Sequence, residues 1–308
     1  MLNEHYQNIG LKGYFGRYGI VNALKRGVFL ANRFHLINDY EIRKVLWQKR
    51  AANKVSKYLQ FTNSDPKELV FGDCDVDNPI WIYWNSGMEN APIIVQKCYE
   101  SILKYSNKEV ILLTETNIND YIVFPDYIAQ KVNNGQIPIA GYTDLMRFAL
   151  LEHFGGTWMD STILLTGDIP QEIMESDLFV FRNSLGLLDN PVLFPAWFIH
   201  AKKGNKIIRK VRNVAFAYWM KEKHVIEYLL PNLIMTQIIH QDLEVASSIP
   251  YMDSDYSERL IRIIDEQYTI EKASWIKKLT CIHKLTYKLN ERVDKDGSIY
   301  RYIIEGKF

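Results

Sequence analysis

The 308-residue chain has only three cysteines, Cys74, Cys98 and Cys281. An odd number at such wide spacing excludes a disulfide framework and a zinc knuckle, and it points to a reducing cytoplasm. The start, Met-Leu-Asn-Glu-His, lacks the basic-then-apolar order of a signal peptide. No run reaches the roughly 18 apolar residues of a membrane span. The expectation is a cytoplasmic protein, peripheral at most on the inner face of the membrane. No recognised nucleic-acid motif accompanies the basic residues, so nucleic acid is not an expected partner. Asp73-Cys74-Asp75-Val76-Asp77 lacks the sixth-position glycine and twelfth-position acid of a calcium loop, and Asn63 to Asn78 reads as a linker or surface hairpin.

Net charge is only +1, but it is unevenly spread. Residues 1–60 carry 11 Lys/Arg against 3 Asp/Glu, residues 61–270 carry 17 against 28, and residues 271–308 carry 9 against 5. Two stretches of the basic front, residues 13–34 and 40–60, mix apolar and basic residues at helical spacing. Such helices suit an anionic membrane surface, where each basic side chain contributes about 1 kcal/mol, and equally suit packing on a core with a solvated face. Residues 1–62 are thus expected to be a basic helical region and 63–308 the main domain.

That domain alternates strands and helices. Strands are expected at Pro79 to Gly87, Glu109 to Thr114, Leu178 to Arg182 and Trp197 to His200, with a loop from Asn183 to Pro195. Helices are expected from Pro92, at Pro125 to Val132, Asn205 to Met220 and Val225 to His240. Alternation of this kind implies an α/β fold with a mostly parallel central sheet and ligand-facing loops at its carboxyl edge.

The chain is organised around Ala140 to Pro170. Thr143 reads as an N-cap, Leu145 to Phe154 as a buried helix, and Gly155-Gly156 as its stop. Asp160 follows a short strand, Thr157 to Met159, and a lone carboxylate there is placed for a ligand. Asp144 and Arg147 are three apart, hence on one helical face. Each residue alone also has a structural reading, as an ion pair or a turn cap. Together the three can converge on one polar ligand.

Thr143-Asp144-Leu145-Met146-Arg147 followed by Gly155-Gly156-Thr157-Trp158-Met159-Asp160-Ser161-Thr162 resembles the capsular polysaccharide synthesis glycosyltransferases. These are related to the family 32 type mannosyltransferases of yeast and the glucosylating clostridial toxins. The resemblance covers Pro79 to about Phe179 and is nearest to the pneumococcal serogroup 6 type of capsule α-galactosyl- or glucosyltransferase.

It implies a GT-A-type, single Rossmann-like domain and retaining transfer of an α-hexose from a UDP-sugar to a sugar on undecaprenyl diphosphate. Asp144 and Arg147 would hold donor hydroxyls. Asp160 would meet Mn²⁺ or Mg²⁺ at the diphosphate, with Thr162 nearby in place of the second acid of Asp-x-Asp and His283 as a further ligand, a structural role being the other reading of that histidine. Trp81, Tyr83 or Trp84 would stack on the uracil, core packing being the other reading of each. Lys284 and Lys288 would close over the diphosphate, Glu227 would touch a sugar or be a solvated helix-start residue, and Ala149 would size the donor pocket. The alternative is a non-catalytic UDP-sugar-binding or scaffold subunit. A secreted host-modifying toxin is disfavoured by the basic front.

Overall fold

The computed structural model describes residues 3–32, 37–183, 190–290 and 293–308, with side chains from Gly10 onward in the first helix. The strands are β1 (Val70–Phe71), β2 (Ile80–Tyr83), β3 (Val110–Leu113), β4 (Ile122–Val123), β5 (Gly156–Met159), β6 (Ile163–Leu165), β7 (Leu178–Val180), β8 (Phe198–Ala201) and β9 (Ile282–Lys284). The helices up to residue 240 are α1 (Asn3–Tyr18), α2 (Ile20–Leu30), α3 (Tyr40–Val55), α4 (Ile93–Tyr105), α5 (Ile118–Tyr121), α6 (Asp126–Asn133), α7 (Ile139–His153), α8 (Gln171–Glu175), α9 (Lys206–Lys221) and α10 (Leu230–His240).

The central sheet has five strands in the order β3-β2-β5-β8-β7. β3, β2 and β5 pair in parallel, whereas β8 runs antiparallel to both its neighbours. Four of the five strands therefore point one way, but only two of the four pairings are parallel. The sheet is mixed where a mostly parallel one was expected. Both faces are buried, which is why its strands read as unbroken apolar runs. Alternation sends Trp81, Tyr83 and Trp158 into one apolar cluster, with α7, α9 and α10, and sends Ile80, Ile82 and Met159 into another, with Ile102 of α4.

The basic front is helical, and it packs on this core. Tyr14, Tyr18, Ala51, Val55 and Tyr58 share the larger cluster with α7, α9 and α10. Arg33, expected in the first basic stretch, lies outside the described residues, as do positions 184–189 of the expected loop. Residues 63–78 are no hairpin: β1 pairs antiparallel with the distant β4.

Two helix starts differ from expectation. Helix α7 begins at Ile139 behind Pro138, and the Thr143 hydroxyl donates back to Ala140 O at 2.8 Å instead of capping. Asp144 and Arg147 consequently sit in its second and third turns, beyond the reach of the helix's positive end. Helix α10 begins at Leu230, not Val225, because Pro231 suits the first turn and cannot continue one. A two-stranded sheet of β6 and β9 brings the chain's last third back beside Asp160.

Candidate active site

The turn that carries Asp160 exists because of two glycines. Gly155 (φ 75°) and Gly156 (φ 102°) both occupy the left-handed region, and a Cβ on Gly156 would lie 2.2 Å from Pro79 O. That approach lets β5 enter beside β2 and leave at Asp160 on the carboxyl edge. The Asp160 backbone then closes a tight turn, its N–H donating to Trp197 O at 2.9 Å and its C=O accepting from Ile163 N at 3.0 Å.

Around Asp160 stand two cations and an indole. Lys284 Nζ donates to Asp160 Oδ2 at 2.8 Å and to Thr162 Oγ1 at 2.7 Å. Trp158 Nε1 donates to Oδ1 at 3.1 Å. Arg147 Nη2 lies 3.4 Å from Asp160 Oδ1 and 3.2 Å from Asp144 Oδ1. The Arg147 guanidinium sits 5.0 Å over the Trp158 ring, and Nη1 donates to Ala196 O. Its side chain is only 7% exposed, so its geometry is set by packing.

These surroundings push the two carboxylates apart. Burial tends to raise Asp160, but Lys284 and Arg147 outweigh it and hold the group below the usual carboxylate range. Burial dominates at Asp144, and with the Asp160 charge nearby it pushes that carboxyl up to about 7 despite Arg147. At neutral pH two cations thus face one full carboxylate and one half-protonated one. The centre is suited to receiving an anion.

Several expected residues stand elsewhere. Glu227 is neither solvated nor at the site: it is 3% exposed and pairs with Arg26 Nε of α2 at 3.2 Å. Ala149 is fully buried in the core face of α7. The cavity beside Asp144 is lined by Leu145 and Phe148 instead. Trp81 is also fully buried, with Nε1 donating to Gly155 O at 2.9 Å, and Tyr83 is buried with its hydroxyl on Asn85 Oδ1 at 2.6 Å. Among the three aromatics Trp84 stays partly exposed, edge-on to Tyr287 at 5.4 Å.

His283 is fully buried on β9, where strand alternation turns it away from its neighbour Lys284. Its Nε2 meets Thr166 Oγ1 at 2.9 Å, and burial lowers its pKa to about 3. Lys288 lies near Arg17, and burial and that charge lower its pKa.

Two residues that motif spacing could not reveal line the Asp144 cavity, Arg17 from α1 and Tyr228 from the segment before α10. They stack at 5.4 Å as a cation–π pair. The phenol is raised chiefly by burial, then by Asp144 and Asp160. Of the neighbours Glu227 and Tyr228, the tyrosine, not the acid, lines this cavity.

A divalent cation fits this donor set poorly. Both Asp160 oxygens are engaged, Thr162 Oγ1 accepts from Lys284, and His283 faces the other way. Among the described residues no group of three or more His, Cys, Asp or Glu side chains could hold a metal ion.

Comparison with known proteins adds a family. No curated protein matches the chain. Solved structures that resemble it include the PaToxG glycosyltransferase, at TM-score 0.40 and 16% identity over 77% of this chain and 95% of that one. The apo structure of the bifunctional glycosyltransferase WbbM is another, at TM-score 0.37 and 10% identity over 77% and 53%. The family model described as capsular polysaccharide synthesis protein matches residues 30–303, nearly the whole chain. This chain belongs to the capsular polysaccharide synthesis protein family.

Proposed function

We propose that the protein is a retaining hexosyltransferase that moves an α-hexose, galactose or glucose, from a UDP-sugar to a sugar on undecaprenyl diphosphate during capsule repeat-unit synthesis. The observation that carries this reading is the convergence of Asp144, Arg147, Asp160 and Lys284 at the carboxyl edge of β5, in a chain of this family.

Each group has a physical task in it. Partly exposed Trp84 offers a face to the uracil. Asp144 accepts from donor hydroxyls and Arg147 donates to them, a directional pair that tells one hydroxyl configuration from another. Asp160 orients the cations. Breaking the bond between the sugar and the diphosphate gives the sugar oxocarbenium character, and the acceptor hydroxyl attacks from the face the diphosphate leaves. Isolation of an inverted product would sink the retaining assignment. The Mn²⁺ or Mg²⁺ expected from the resemblance would need Lys284 displaced from Asp160.

The acceptor lipid motivates a place for the basic front. A groove of about 730 Å³ between α2 and α3 has apolar walls at Leu24, Val28 and Phe29 and a basic rim at Lys25, Arg50 and Lys54. Leu11, Ile20 and Val21 are exposed on the same helical region. This combination of apolar and basic surface supports peripheral docking on anionic lipid. No described helix is long and apolar enough to cross a membrane.

The missing second acid favours one rival, a UDP-sugar-binding scaffold subunit without turnover. UDP release from a panel of UDP-sugars, with a lipid-diphosphate glucose acceptor, for wild type and Asp160→Asn, separates the two. Turnover of one UDP-hexose that falls in the variant supports the transferase. Binding without turnover supports the scaffold.

A further inference from the structure

We propose that the Lys284 ammonium takes the place of a divalent cation and receives the departing diphosphate, so that transfer proceeds without a metal. The inference rests on the transferase reading above and adds the identity of its diphosphate-binding charge.

The geometry of Lys284 carries the argument. Its Nζ lies 2.8 Å from Asp160 Oδ2 and 2.7 Å from Thr162 Oγ1, the two side chains that the Asp-Ser-Thr turn would offer to a metal. An ammonium has three donors. Two are spent on these oxygens, and the side chain is 21% exposed, so the third is available to an incoming anion. A dication at Asp160 would have to displace Lys284 and would then stand beside both it and Arg147, with only the half-protonated Asp144 on the far side of Arg147 to offset the repulsion.

The fold makes the placement firm. Ile163 and Leu164 of β6 pair with Lys284 and His283 of β9, and Leu285 N donates to Thr162 O at 2.9 Å. With backbone pairing on both sides, the lysine stem enters the turn at a fixed register. The buried His283 on the opposite side anchors the same strand through Thr166.

The step balances without a co-reactant. The bond between the anomeric carbon and the β-phosphate oxygen breaks, and its electron pair stays on that oxygen as UDP leaves. The acceptor hydroxyl oxygen bonds to the anomeric carbon, and its proton passes to the departing phosphate oxygen. Lys284 remains protonated throughout, and its third N–H meets the charge that develops on the phosphate.

The test uses the full chain, metal-stripped with EDTA, and follows UDP release and sugar transfer to a lipid-diphosphate glucose acceptor with and without added Mn²⁺. Equal turnover in both conditions is expected. Lys284→Met should then lower kcat about 10² to 10³-fold, the cost of removing one such donor, with a smaller change in KM. Lys284→Arg, which keeps the charge, should recover part of it, and circular dichroism should show both variants folded. Calorimetric titration of Mn²⁺ into the enzyme with UDP should show no binding at the site. Turnover only with Mn²⁺, or a full kcat in Lys284→Met, overturns the inference while leaving the transferase intact. Failure to turn over any UDP-hexose in either condition overturns the transferase reading, and this inference with it.

Discussion

Lys284 Nζ lies 2.8 Å from Asp160 Oδ2 across 124 residues of chain. The contact closes the candidate centre, because β9 returns to β6 only after helices α9 and α10 and the helical segment at Ile270–Leu279 have been laid down. It leaves Asp160 ionised and Asp144, two side chains away through Arg147, poised near neutrality.

That difference predicts a pH dependence. The Asp144 carboxyl is raised from 3.8 to about 7 in the folded state. A raised carboxyl contributes stability that is complete below its unfolded value and lost as pH rises through the folded one. The wild type should therefore lose up to about 2 to 4 kcal/mol of this contribution between pH 4 and pH 7. Asp144→Asn lacks the slope, so its Tm relative to wild type should climb from pH 4.5 to pH 8. A constant difference across that range would refute the assignment.

Glu227 should behave as a structural residue. Its ion pair with Arg26 ties α2 to the start of α10 with both partners buried. Removing one member of such a pair costs about 3 kcal/mol. Glu227→Gln is expected to lower the denaturation midpoint while leaving KM for the donor unchanged. Tyr228→Phe should do the reverse, and a donor KM that moves with Glu227→Gln alone would contradict this placement.

Gly156→Ala should unfold the centre. The backbone sits at φ 102° and the added Cβ would meet Pro79 O at 2.2 Å. Strain and overlap with backbone atoms add, for a loss of about 3 kcal/mol or more. Chemical denaturation checks this, and a near-native midpoint would show that β5 can shift away from β2.

Docking of the basic front is tested with vesicles. Wild type should bind anionic phospholipid vesicles at low salt and release as salt rises. Lys25→Glu, Arg50→Glu and Lys54→Glu together should remove about 3 kcal/mol of attraction, about 1 kcal/mol per site. Leu24→Asp should weaken binding at constant charge. Equal association of wild type and the triple variant would remove lipid from the proposal.

The sequence by itself determined the parts whose signal is local. The Gly155-Gly156 stop needs a left-handed backbone, the apolar runs of β2, β5 and β8 need burial, and the three-residue spacing of Asp144 and Arg147 needs only a helix. Asp160 at a strand end followed from those same signals. Tertiary structure decided everything that depends on which segments return to one place. The reversal of β8, the burial of Glu227 against Arg26, the turning of His283 away from Lys284, and the arrival of Arg17 and Tyr228 beside Asp144 have no local signature. Strand direction is set by connections, and a charged side chain's role by the charge that packs against it. For Asp160 that charge is Lys284, and only the β6-β9 pairing brings the two together.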